Sequence, residues 1–131
     1  MPKLSKCNLY ADQVHGVHTK LEHVDVIHVV SSLKMGGAER VAYDLARVQN
    51  RCGIRVSVLS FGRQNDALVS EFEEAGLSVD SIGDYRSWIE KKRFVFQTLL
   101  KRQASAVHIH SPAALRFMSV CFPFVGSRII F

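Results

Sequence analysis

Apolar and polar positions fall in blocks along this chain, and the blocks predict strands and helices by turns. Val24 to Ser31 is apolar at nearly every position, as befits a strand covered on both faces of a parallel sheet. After a short loop, Val41, Leu45, Val48 and Cys52 recur at helical spacing. They predict a helix from about Gly37 to Cys52 that buries this stripe, with Gly53 as its C′ residue. Ile54 to Ser60 alternates β-branched with polar residues and predicts a second strand. Leu68, Phe72 and Ala75 make the apolar face of a second helix, with Asp66 as N-cap and Gly76 as its stop. Leu77 to Ile82 reads as a short third strand, Val79 inside and Asp80 outside. A helix from about Ser87 to Gln103 and a strand from Ala104 to His110 follow. Ser111 and Pro112 suit the N-cap and N1 of a fourth helix that ends near Cys121. Arg128 to Phe131 begins a fifth strand.

Residues 1–23 carry no such period and read as a poorly ordered leader, with a short helix around Leu9 to Val14. From residue 24 to 131, strands alternate with helices through short connections. That pattern calls for an α/β fold: one Rossmann-like, doubly wound domain with a parallel sheet in the order 3-2-1-4-5. The last residues, Ile129, Ile130 and Phe131, fall inside what should be a buried strand, so the chain reads as a fragment cut off in strand 5.

Composition adds boundaries rather than direction. With 47% hydrophobic and 22% charged residues, 131 residues can bury a core of their own. A net charge of +5 leans towards anionic partners, but the basic residues form no long block and no nucleic acid is expected. Cys7, Cys52 and Cys121 are odd in number and in no metal-ligand spacing, which suits reduced thiols in the cytoplasm. No apolar h-region follows the first lysines, and the apolar run Phe117 to Val125 is too short to span a bilayer.

The candidate chemistry lies where strand 1 turns into helix 1. Gly36 and Gly37 open that helix, whose first N–H groups and positive dipole end suit an anion. The plain alternative is a tight turn. In the order 3-2-1-4-5, the loop at His110, Ser111 and Pro112 lies beside it, so two helix starts would face one cleft. His110, at the mouth of strand 4, could bond a substrate hydroxyl or carbonyl. His108 and His110 share a face and could chelate a metal, but no third ligand stands at usable spacing, so none is expected. His108 reads as a hydrogen-bonded core residue and His28 as structural. His15, His18 and His23 read as solvated. Neither a P-loop nor a Gly-x-Gly-x-x-Gly fingerprint is present, and Arg63 alone is weak evidence for a 2′-phosphate. Helix 3 presents Trp88, Ile89, Val95, Phe96, Leu99 and Leu100 on one side and many basic residues on the rest. It is either an ordinary sheet-covering helix or a surface for anionic lipid.

Val29-Val30-Ser31-Ser32-Leu33-Lys34-Met35-Gly36-Gly37-Ala38-Glu39-Arg40 resembles the N-terminal "GGAE" signature of family-4 glycosyltransferases. The resemblance continues through Leu45-Ala46, Cys52 to Leu59, and Val107 to Ser111, and covers about residues 26 to 131. It implies the N-terminal, acceptor-side half of a GT-B enzyme that moves a sugar from a nucleotide-sugar donor to a polysaccharide or glycolipid acceptor, with retention and without a metal or other cofactor. Gly36 and Gly37 would then approach the donor diphosphate, His110 the transferred sugar, and Ser111 could join them. The family's C-terminal domain, with its Glu-x7-Glu segment, has no counterpart in these residues. The chain alone is therefore expected to be inactive, or to act with a separately encoded second half. In lipid-modifying members of the family the basic surface of this domain touches the membrane, so the resemblance favours contact of the 87–103 helix with its inner face for a chain whose thiols suit the cytoplasm. The competing reading is a non-catalytic Rossmann-like binding module or gene remnant.

Overall fold

A computed structural model describes residues 23–83, 87–119 and 128–131. The elements run β1 (Val26–Val30), α1 (Gly37–Arg51), β2 (Val56–Ser60), α2 (Val69–Glu74), β3 (Ser78–Ser81), α3 (Trp88–Arg102), β4 (Ala106–Ile109), α4 (Pro112–Met118) and β5 (Arg128–Ile130). The sheet order is β3-β2-β1-β4-β5 and every neighbouring pair is parallel, which is the expected doubly wound, Rossmann-like arrangement.

Period-two alternation divides the core between the two faces of this sheet. Ile27, Val29, Leu59, Val107 and Ile109 pack with Val95 and Leu99 of α3 and with Ala114 and Met118 of α4. Val30, Val56 and Val58 face the other way, towards Ala42 and Ala46 of α1 and Val69 and Phe72 of α2. Being covered on both sides, β2 is buried at every position, Ser57 and Ser60 included. Its polar residues therefore do not mark a solvated face.

Helix α1 turns a different stripe inward from the one expected. Ala42 and Ala46 are fully buried, whereas Val41 is 60% and Val48 53% exposed, and Cys52 is exposed. Alanine lets the helix axis approach the sheet closely, and that close seat displaces the longer valines outward. Gly53 (φ 83°) and Gly76 (φ 78°) follow the ends of α1 and α2 in the left-handed region, the positions where glycine carries no Cβ penalty.

Two acidic residues also differ from expectation. Asp66 does not cap α2, which begins after Leu68; its carboxylate accepts instead from the backbone N–H groups of Leu33 and Arg63. Asp80 is not turned to solvent but pairs at 3.0 Å with Arg102, the buried last residue of α3. The end of α3 is thereby tied to β3. Helix α3 starts on a capping box between Ser87 and Glu90, in which each side chain bonds the other residue's backbone N–H. Strand β5 lies at the sheet edge and its residues are exposed, so Ile129 and Ile130 are not the core positions their apolarity implies. The short helix placed around Leu9 and the end of the fourth helix near Cys121 fall outside the described residues. Among the described residues no helix is long and apolar enough to cross a membrane.

Candidate functional site

Strands β1 and β4 are adjacent and their crossovers leave on opposite faces, so the region beyond their carboxyl ends is where a doubly wound sheet has its ligand crevice. The loop from Ser31 to Gly36 forms one side of it. Leu33 is fully buried in the α1–α2 side of the core, and burial of such a side chain contributes roughly 1.5–3 kcal/mol. Its backbone is held at both ends: the N–H donates to Asp66 Oδ2 at 3.2 Å, and the carbonyl accepts from Leu68 N–H at 2.9 Å. The loop is thus pinned to the segment after β2 and is not a floppy connection.

Beyond that anchor the backbone rises into the two glycines. Gly36 is the N-cap of α1 in extended conformation (φ −163°, ψ 167°), and no side chain caps the helix. Any residue adopts that conformation, and Gly37 is already helical. A Cβ on Gly37 would meet no described atom within 4 Å, and one on Gly36 would meet only the flexible end of Glu39. Neither glycine is therefore required by a turn or by packing within the described chain. What their absent side chains leave is open access to the first N–H groups of a 15-residue helix. The carboxylate of Glu39 lies nearest this point, as a negative group at a positive helix end should.

Glycine is required at two positions that spacing did not single out. A Cβ on Gly62 would press on the backbone of Ser32, and one on Gly83 on the backbone of Gly62 and Arg63. Gly83 N–H also donates to the Gly62 carbonyl at 2.7 Å, so the loops after β1, β2 and β3 lie in backbone contact. Their only sequence signal was a glycine shortly after each of two apolar strands. Arg63 is exposed, and its N–H is bonded to Asp66.

Across the crevice, the second helix start differs from the first. Ser111 caps α4, its Oγ accepting from Ala114 N–H at 3.1 Å, with Pro112 at the first helical position. The cap expected from Ser111 and Pro112 is thus present on α4, whereas the start of α1 carries no side-chain cap. Ser111 Oγ keeps its own proton to donate, but one of its lone pairs is already engaged.

The histidines assemble in a way their spacing did not show. His28 of β1 and His108 of β4 are register partners, and His110 follows two residues later, so all three rings share the α1 face. One ring nitrogen from each lies within 4.8 Å of the others. Spacing along the chain offers His108 and His110 no third histidine; the fold brings one, His28, from the neighbouring strand. His28 is completely buried, with its Nε2 2.7 Å from Gln49 Oε1 on α1 and its Nδ1 2.7 Å from His110 Nε2. A carbonyl oxygen only accepts, so the His28 proton sits on Nε2 and its Nδ1 accepts from His110 Nε2–H. His28 is structural as expected, but it also sets the tautomer of His110. His108, by contrast, is half-buried and does not lie wholly in the core.

Burial pushes the His110 pKa down to about 4, helped by the neighbouring charges of His108 and His28. Burial likewise lowers His28, against a smaller opposing effect of its bond to Gln49. Near neutral pH both rings are uncharged. His110 therefore offers a hydrogen-bonding nitrogen to the crevice and not a cation.

No protein-family model matches this chain, and no curated protein matches it. Solved structures do. A glycosyltransferase from Rickettsia africae superposes with a TM-score of 0.66 at 16% identity, over 82% of this chain and 28% of that one. The Anabaena protein Alr3699/HepE, solved in complex with UDP and glucose, superposes with a TM-score of 0.66 at 17% identity, over 83% of this chain and 29% of its own. At such identity the likeness is one of fold. The chain spans less than a third of the length of either protein.

Proposed function

We propose that this chain is the N-terminal, acceptor-side domain of a retaining glycosyltransferase of family 4, with Gly36 and Gly37 forming one wall of the donor diphosphate site. The observation that carries the reading is the pair of glycines at an uncapped helix start, neither of them needed by local backbone or packing. The diphosphate would accept from the first N–H groups of α1, displacing the Glu39 carboxylate from that point. A neighbour of the same fold binds UDP and glucose, which supports a nucleotide sugar as the donor.

In this reading His110, neutral and with Nε2 committed to His28, accepts a hydrogen bond from a hydroxyl of the transferred sugar through Nδ1. Ser111 adds a hydroxyl donor beside it. Transfer itself requires a second Rossmann-like domain to hold the nucleotide, so the 131 residues bind donor weakly and do not turn over alone. At the start of α3, Trp88 and Ile89 are 59% and 74% exposed, and Lys92 Nζ lies 3.2 Å over the Trp88 ring. That apolar and basic patch suits contact with an anionic membrane bearing a glycolipid acceptor.

Titration of the isotope-labelled chain with UDP- and GDP-sugars, followed by NMR, tests the donor site. The amides of Gly37, Ala38 and Glu39 should shift first. Gly37→Ala should weaken the response about tenfold or more, the equivalent of one lost charge-assisted hydrogen bond. Alanine at this helical position does not harm the fold, because it raises helix propensity and meets nothing. Unchanged binding by Gly37→Ala, or no shift at these amides with any probe, would remove the loop from the site.

A further inference from the structure

We propose that His28, His108 and His110 form a binding site for one borderline divalent transition-metal ion, of which Zn2+ is the type, with a fourth coordination position open to solvent. The inference rests on the side-chain cluster and is independent of the glycosyltransferase reading.

Three features of the cluster favour an ion. Its geometry is set by the sheet: His28 and His108 are paired across β1 and β4, and His110, one residue past β4, is held beside them by its N–H bond to the Val29 carbonyl. Ring centroids stand 4.1 Å apart for His108 and His110, 5.3 Å for His28 and His108, and 5.0 Å for His28 and His110. The ligand nitrogens already lie within 4.8 Å of one another. Tetrahedral coordination at Zn–N distances of about 2.0–2.1 Å places them roughly 3.4 Å apart. The His28–His110 contact of 2.7 Å must then open slightly, which small rotations of two rings supply.

The outer partner of the site is also in place. Gln49 Oε1 takes the proton of His28 Nε2 and so leaves the lone pair of Nδ1 facing the cluster. This is the arrangement by which ligating imidazoles are oriented elsewhere, and here it comes from a helix packed on the strand. The third feature is the donor set itself. Three imidazoles suit Zn2+, Ni2+ and Cu2+, while Mg2+ and Ca2+ need oxygen ligands. His28 is buried but His108 and His110 are half-exposed, so water can complete the shell from the β4 side.

Occupancy would reverse the tautomer of His110. With Nε2 on the ion, its proton moves to Nδ1, and the nitrogen facing the crevice changes from acceptor to donor.

Calorimetric titration of the chelator-stripped, tag-free chain with Zn2+, and visible spectroscopy with Co2+, test the site. One equivalent of Zn2+ should bind, and Co2+ should give the spectrum of nitrogen ligation without thiolate charge transfer. His108→Ala should weaken binding at least about tenfold, since loss of even an outer partner costs that much. Gln49→Ala should weaken it by about ten- to hundredfold while leaving all three ligands present. His110→Asn serves as the second ligand variant should His108→Ala melt early. His15→Ala, His18→Ala and His23→Ala combined should leave binding intact. The proposal is overturned by failure of the parent chain to bind a saturable equivalent, or by binding that persists in both ligand variants. Binding lost with the leader histidines, or a thiolate signature in the Co2+ spectrum, would overturn it equally.

Discussion

The loops at the carboxyl ends of β1 and β4 occupy equivalent places in the topology and begin their helices in opposite ways. Helix α4 opens on Ser111, whose hydroxyl bonds Ala114 N–H, and on Pro112, which has no N–H to leave unpaired. Helix α1 opens on Gly36 with no side-chain cap. One helix start has been closed by its own side chain and the other has been left open on a rigid support. In a fold that offers two helix ends to one crevice, local capping decides which is free to receive a ligand. The placement of both ends by topology does not.

The comparison fails if the β1 loop is not rigid, and that is the first thing to break. Leu33→Ala should lower stability by about 2–5 kcal/mol, because it removes a fully buried side chain that also fixes the loop's only deep anchor. Chemical denaturation with an unchanged m-value would measure it. A loss below about 1 kcal/mol would show that the loop relaxes easily and that the glycines are not held in place.

Ser111→Ala addresses the other side. Loss of the cap should cost about 0.5–2 kcal/mol, read from the same denaturation curves. A smaller cost would mean that α4 begins as openly as α1, and the contrast between the two loops would vanish.

How these features stood in the sequence follows the same division between local and long-range causes. Strand order was legible because apolar β-branched runs alternate with helical ones, and chirality leaves few topologies. The Ser111-Pro112 cap and the ends of α1 and α2 at Gly53 and Gly76 were legible because capping is local. The buried stripe of α1 was misread because both phases of that helix carry apolar residues. Val41, Leu45 and Val48 are the larger, but Ala42 and Ala46 let the helix sit closer to the sheet. Asp66 and Asp80 were misplaced for a related reason: each meets a partner from a separate part of the chain, Leu33 and Arg102 respectively. The histidine cluster was hidden most completely. His28 and His108 are neighbours only through the register of β1 on β4, and no spacing along the chain encodes that register.

The smallest effect tests the contrast most directly. Gly36→Ser gives α1 the cap that α4 already has. The backbone at Gly36 is extended and suits serine, and the one group in the way is the end of the Glu39 side chain, which can swing aside. Serine in place of glycine at an N-cap should raise stability by only a few tenths of a kcal/mol, since glycine is itself a tolerable cap. The gain should appear as a small upward shift in Tm. The same hydroxyl would occupy a helix-start N–H that the donor diphosphate is proposed to use, so nucleotide-sugar binding should fall as stability rises. Opposite changes in the two measurements would mark a helix start kept open at a cost in stability. A gain in stability with unchanged binding would mean that the α1 start is merely uncapped, and that its first N–H groups belong to water.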